Sequence, residues 1–121
     1  MNVLKRVAVV GASTAMLGAA MTATASTASA AQLCKSYGNG GQVCVSTDPN
    51  GYGAWMVAGA SATWDFNLKC ANGKWAGDQG SFYRSIGQTA SYTFRTAKQP
   101  GGCAVVLINV SSGATYTTPY I

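Results

Sequence analysis

Trp64-Asp65-Phe66-Asn67-Leu68-Lys69-Cys70 decides the fold of this chain. Trp64, Phe66, Leu68 and Cys70 alternate with Asp65, Asn67 and Lys69, the period of two that a strand with one buried and one solvated face requires. Asn72-Gly73 follows, a dipeptide suited to tight turns. Residues 91–97 repeat the pattern, with Tyr92, Phe94 and Thr96 opposite Ser91, Thr93 and Arg95, before Gln99-Pro100-Gly101-Gly102 turns the chain back. Residues 103–110 differ, because Ala104, Val106, Ile108 and Val110 make the second face apolar too. Such a strand is either central and covered on both sides, or it offers a sticky face to another molecule.

Further strands are expected outward from these: an opening hairpin over 34–37 and 42–47, a middle strand over 81–86 and a final one over 114–121. In residues 54–63 the even positions Ala54, Met56, Ala58, Ala60 and Ala62 prolong the apolar face of the Trp64 strand. A long bent strand crossing an edge fits them, and so does a loop shaped for a partner. Turn clusters recur throughout, and no apolar stripe at helical spacing outlasts two turns beyond the leader. The expectation is an all-β fold, an antiparallel immunoglobulin-like β-sandwich of six to eight strands.

Lys5 and Arg6, an apolar stretch over 7–21 and the small residues Ala28-Ser29-Ala30 follow the order of a secretory signal peptide, read here as removed. Taking residues 1–30 from 121 leaves 91, a single domain at 31–121 with a thin margin for a core acting alone. Its four cysteines, Cys34, Cys44, Cys70 and Cys103, read as two disulfides in an exported chain, with three connectivities available. Pairing Cys34 with Cys44 is favoured, since Gly38-Asn39-Gly40-Gly41 between them can form a hairpin with Asn39 at its tip; Cys70 with Cys103 follows by elimination. Zinc is disfavoured by the lack of any histidine and of any C-x-x-C pair.

The missing residue types narrow function. Without histidine or glutamate, neither a Ser/His/Asp nor a Cys/His nucleophile system can be assembled. The only carboxylate side chains are Asp48, Asp65 and Asp78, and each has a plainer role: turns at Asp48-Pro49-Asn50-Gly51 and Gly77-Asp78-Gln79-Gly80, and a solvent-facing strand position. No catalytic residue, metal or cofactor is expected. The six cations of the mature part, Lys35, Lys69, Lys74, Arg84, Arg95 and Lys98, are scattered, which argues against nucleic acid as a partner. No membrane partner is expected of the mature form.

Recognition of another secreted protein remains, and six residues could carry it. Trp55 and Trp75 sit beside glycine-rich stretches and could be exposed anchors or sugar platforms; Trp64 belongs to the core by its alternation. Tyr83 and Arg84, with Phe82 turned inward, combine types common at interface hot spots. Lys74 in Asn72-Gly73-Lys74-Trp75 could anchor a protease-inhibitor loop. Tyr120, on one side of the last strand with Tyr116, could join an edge pairing.

The leader and the motifs Cys70-Ala71-Asn72-Gly73, Gly77-Asp78-Gln79-Gly80, Ser91-Tyr92-Thr93-Phe94 and Cys103 resemble the small exported two-disulfide proteins of Streptomyces and related actinobacteria. Among these they are similar to the adaptor subunit of umbrella-shaped secreted toxin particles. That resemblance implies a non-enzymatic module joining a lectin subunit to a repeat-built stalk, and it assigns no binding residue. Actinobacterial α-amylase inhibitors share the size and the two disulfides but use a Trp-Arg-Tyr triplet, which this chain lacks. The expected function is therefore a protein-binding adaptor, with an inhibitor of a secreted hydrolase, protease or α-amylase, and a carbohydrate-binding module as alternatives.

Overall fold

A computed structural model describes residues 31–77 and 80–121. The leader expected at 1–30 and Asp78 of the 77–80 turn lie outside the described residues. Nine strands appear among the described residues: β1 (Gln32–Tyr37), β2 (Gly41–Asp48), β3 (Gly51–Val57), β4 (Ala62–Cys70), β5 (Trp75–Gly77), β6 (Phe82–Arg84), β7 (Thr89–Phe94), β8 (Cys103–Asn109) and β9 (Thr115–Thr117). They form two antiparallel sheets, one ordered β1-β2-β3-β7 and the other β9-β8-β4-β5, with β6 pairing the same side of β4 further along. The fold is thus the sandwich-like all-β arrangement expected, with more strands than the six to eight read from sequence. The strand not read from sequence is β5, three residues long and too short for alternation to register, while β6 and β9, also of three residues, are shorter than the strands expected over 81–86 and 114–121.

Alternation does what the sequence predicts in β4, where Trp64, Phe66, Leu68 and Cys70 are buried and the intervening residues lie on the outer face. Val43 and Val45 of β2, Tyr52, Ala54 and Met56 of β3, and Val105 and Leu107 of β8 complete the core from both sheets. Residues 54–63 resolve into two strands of different sheets. Chain 51–57 belongs to one layer and chain 62–70 to the other, with the crossing between them, so the bent-strand expectation was the nearer one. β8 is central, held by β4 on one side and β9 on the other. On its outer face Val106 lies between Asn67 and Thr117, which accounts for its being nearly buried.

Both predicted disulfides are present, Cys34–Cys44 and Cys70–Cys103. Each joins directly opposed residues of neighbouring strands, with Cα atoms 4.0 and 3.9 Å apart. The reason is the ladder itself. Thr47 N–H bonds Ala31 O and Cys103 exchanges both its bonds with Ile121, so both cysteine pairs fall on non-hydrogen-bonded rungs, where antiparallel backbones approach most closely. The first hairpin turns where expected, with Asn39 and Gly40 at φ 59° and 76°.

The last strand departs from expectation. After Thr117 the chain bulges at Thr118 and Pro119, where Thr118 Oγ1 accepts the Val105 N–H (2.9 Å), and pairing with β8 resumes at Ile121. The bulge shifts the alternation. Tyr116, opposite the buried Leu107, points inward and stacks on Tyr37 at 4.0 Å, while beyond the bulge Ile121 opposite Cys103 packs on the core and Tyr120 is left outside. Tyr116 and Tyr120 do not share a face, as the uninterrupted strand would have required.

Tyr37 closes this end of the sandwich. Its hydroxyl donates to Val57 O (2.7 Å), and Gly59 packs so closely that an added Cβ would meet Tyr37 Cε2 at 2.7 Å. Burial pushes the Tyr37 phenol above its ordinary 10.0; the Gly59 backbone pulls it down and the neighbouring Tyr116 adds to the rise. A raised phenol favours the neutral form in the folded state, so its contribution is complete below the unfolded value near pH ~10 and is lost as pH climbs through the folded value. Tyr37→Phe should lose about 1 kcal/mol at neutral pH, the net worth of one hydrogen bond, and flatten the alkaline fall in stability, read from urea midpoints above pH ~9. A cystine stabilises by restricting the unfolded chain, more so the longer the loop it closes, and the separations are 10 residues for Cys34–Cys44 and 33 for Cys70–Cys103. Cys70→Ala with Cys103→Ala should cost about 3.8 kcal/mol and Cys34→Ala with Cys44→Ala about 2.8 kcal/mol, in that order, by urea denaturation.

Candidate functional site

The six candidate residues divide between three surfaces. Trp75, Tyr83 and Tyr120 lie on the outer face of the β9-β8-β4-β5 sheet, 58 %, 59 % and 43 % exposed. Register puts Trp75 beside Lys69 and Lys69 beside Ala104, with Tyr120 beyond Ala104 across the bulge. At the other end of the same face Tyr83 pairs with Thr63, and Val110 donates its N–H to Thr63 O (2.8 Å). An exposed aromatic thus marks each end, with Val110 beside the second, and Asn67, Asp65, Thr115 and Thr117 between them. The group spans about 20 Å along the strands and about 14 Å across them, by strand rise and spacing. Such a patch fits within the roughly 800 Å² per partner of a standard protein interface.

Lys74 stands next to this face in the turn after β4. Its N–H bonds Asn72 Oδ1 (3.1 Å) and its carbonyl accepts the Cys70 N–H (2.8 Å), so the backbone is fixed at both groups beside the Cys70–Cys103 bridge. Arg84 is used internally. Its guanidinium donates to Thr89 O (2.9 Å) and Tyr83 O (2.8 Å) and lies over the Phe82 ring at 5.1 Å, tying β6 to the start of β7. Phe82 faces inward against Phe66, as expected, with ring centroids 5.3 Å apart.

Trp55 is on the opposite side of the molecule, in mid-strand rather than at a turn. It occupies the outer face of β3 between Cys44 and Ser91, and is 37 % exposed. Next to it Gly53 leaves a depression of 480 Å³ walled by Gln32, Ser46, Asp48, Ser91 and Thr93. A Cβ at Gly53 would meet Ser46 Oγ at 2.5 Å, so the dent needs glycine. Sequence reading missed it because the strand itself was not separated from residues 58–63.

A third feature was also missed. Along one flank of the sandwich the edge of β7 faces β5 and β6 across two adjoining hollows, of 490 and 330 Å³, that share Tyr92. Phe66, Phe82, Ala90 and Phe94 line them, with Arg84 towards one end and Arg95 towards the other. The signal for it was present in Ser91-Tyr92-Thr93-Phe94, a strand without lysine, proline or glycine.

The two described carboxylates do not converge. Asp48 lies on the β1-β2-β3-β7 sheet, its Oδ1 accepting the Asn50 N–H (2.8 Å) in the expected turn, and Asp65 lies half-buried on the outer face of the other sheet. All four cysteine sulfurs are consumed in disulfides. Lys98 is likewise engaged, by Asp48 O (2.6 Å) and the Tyr52 ring at 5.4 Å. No family model, curated protein or solved structure matches the chain.

Proposed function

We propose that residues 31–121 are an exported, non-enzymatic protein-binding module, serving as an adaptor or assembly subunit of an extracellular complex of the umbrella-toxin kind. The observation that carries this reading is the outer face of the β9-β8-β4-β5 sheet. Trp75, Tyr83 and Tyr120 stand exposed there on backbone fixed by a sheet and a disulfide. Rigid aromatic anchors of this type dominate interface energies because they bury large area at small entropic cost. The separation of Asp48 from Asp65 on different sheets supports binding over hydrolysis by paired carboxylates. Two disulfides in so small a domain support an oxidising destination.

The Trp55 depression favours a second reading, contact with a glycan. A half-exposed indole beside Gln32, Ser46, Asp48, Ser91 and Thr93 offers an apolar platform with hydroxyl, amide and carboxylate partners, the pairing that a pyranose ring calls for.

Capture from culture medium separates the two. A tagged chain should recover larger proteins at a fixed ratio, with recovery lowered about thirtyfold by Trp75→Ala or Tyr83→Ala, a hot-spot loss of about 2 kcal/mol, and unchanged by Trp55→Ala. Isolation of the chain only as a free monomer would refute the adaptor. Retention on chitin or peptidoglycan, abolished by Trp55→Ala, would establish the glycan contact.

A further inference from the structure

The structure has four sheet edges among its described residues, and three are blunted. β1 carries Lys35, β9 is three residues long and runs into the Pro119 bulge, and β5 and β6 are each three residues long. Short edges, lysine, proline and bulges are the devices that stop a sheet from accepting another strand. β7 has none of them. It runs six residues, Thr89–Phe94, pairs with β3 on one side only, and contains no lysine, proline or glycine.

Its free groups can be named. Ala58 N–H donates to Gln88 O (2.8 Å) in register with the β3–β7 ladder. Alternation along an antiparallel pair then directs the N–H and C=O of Ala90, Tyr92 and Phe94 toward β3, and those of Thr89, Ser91 and Thr93 outward. Thr89 O is occupied by Arg84 Nε (2.9 Å). Ser91 and Thr93 therefore face the flank with a donor and an acceptor each. Beside them the two hollows are bordered by the partly buried side chains of Phe82, Ala90 and Tyr92, against which alternate residues of an added strand would pack.

We infer that the edge of β7, with the hollows beside it, receives an extended acidic segment of the partner protein by strand addition, an inference that rests on the protein-binding reading above. Charge selects the occupant. Arg84 and Arg95 flank the site. A second copy of this chain is disfavoured by the same charges, because antiparallel β7–β7 pairing would bring Arg95 of each molecule toward Arg84 of the other. The segment that fits alternates apolar residues, facing the hollows, with acidic ones.

The test uses the mature chain, residues 31–121, and a fluorescein-labelled heptapeptide alternating glutamate with valine, capped at both ends, beside its lysine counterpart. The glutamate peptide should bind saturably, more weakly as salt rises, and slow amide hydrogen exchange at Ser91 and Thr93 but not at Cys34 and Ser36 on the far edge. Ser91→Pro or Thr93→Pro removes an outward N–H without touching the β3 ladder and should weaken binding about fivefold, the worth of one hydrogen bond. Arg95→Glu, which leaves the backbone alone, should weaken it about tenfold and improve binding of the lysine peptide. Absent binding, equal binding of both peptides, protection at Cys34 and Ser36 instead, or a dimer protected at β7 would each overturn the inference. Capture of a partner that depends on Trp75 but ignores both Ser91→Pro and Arg95→Glu would refute strand addition and leave the adaptor reading intact, whereas capture of nothing by the unmodified chain would remove that reading itself.

Discussion

The seven-rung register between β4 and β8, from Trp64 opposite Asn109 to Cys70 opposite Cys103, is the constraint on which the remaining architecture hangs. Side-chain period along a strand is two, so a slip of one residue would turn Trp64, Phe66 and Leu68 to water and draw the two sulfurs apart. The covalent bond at one end forbids that slip, and burial of three large side chains opposes it along the length. Every exposed aromatic of the candidate face takes its place from this pair. Trp75 is set by Lys69, Tyr83 by Thr63, and Tyr120 by its position outside Ala104.

Much of this was legible in the residues. Alternation in 64–70 identified the innermost strand, because a half-buried strand imposes a period that composition alone cannot mimic. The opening hairpin and both cystine pairings were equally readable, since Asn39 and Gly40 accept the positive φ that the turn demands. What escaped was whatever depended on neighbours distant in sequence. Residues 54–63 look like one apolar-alternating stretch, yet the change of sheet within them is decided by space, not by pattern. Tyr116 and Tyr120 look equivalent until the Thr118–Pro119 bulge reverses their sense. Trp55 was marked by its residue type, but its polar surroundings come from β1, β2 and β7 and could not be gathered from a linear reading.

The candidate residues do not make one site, and the division is informative. Arg84, attractive as a hot-spot type, gives Nε and one terminal nitrogen to Thr89 O and Tyr83 O, so it holds β6 against β7 while its charge stays at the rim of the hollow. Trp55 stands on one outer face while Trp75, Tyr83 and Tyr120 stand on the other. A module with distinct chemical characters on opposite sides, polar around an indole on one and aromatic at both ends on the other, suits a piece that stands between two other bodies.

Each cystine joins two strands of one sheet, one cystine per layer, and neither crosses from layer to layer. The layers adhere through side-chain packing, such as that of Tyr37 on Tyr116. Mechanical response is therefore directional. The β1–β2 and β4–β8 pairs cannot be unzipped past their cystines, whereas tension that pries the layers apart is resisted by side-chain packing alone, so the sandwich yields by opening like a book before either clamped pair parts.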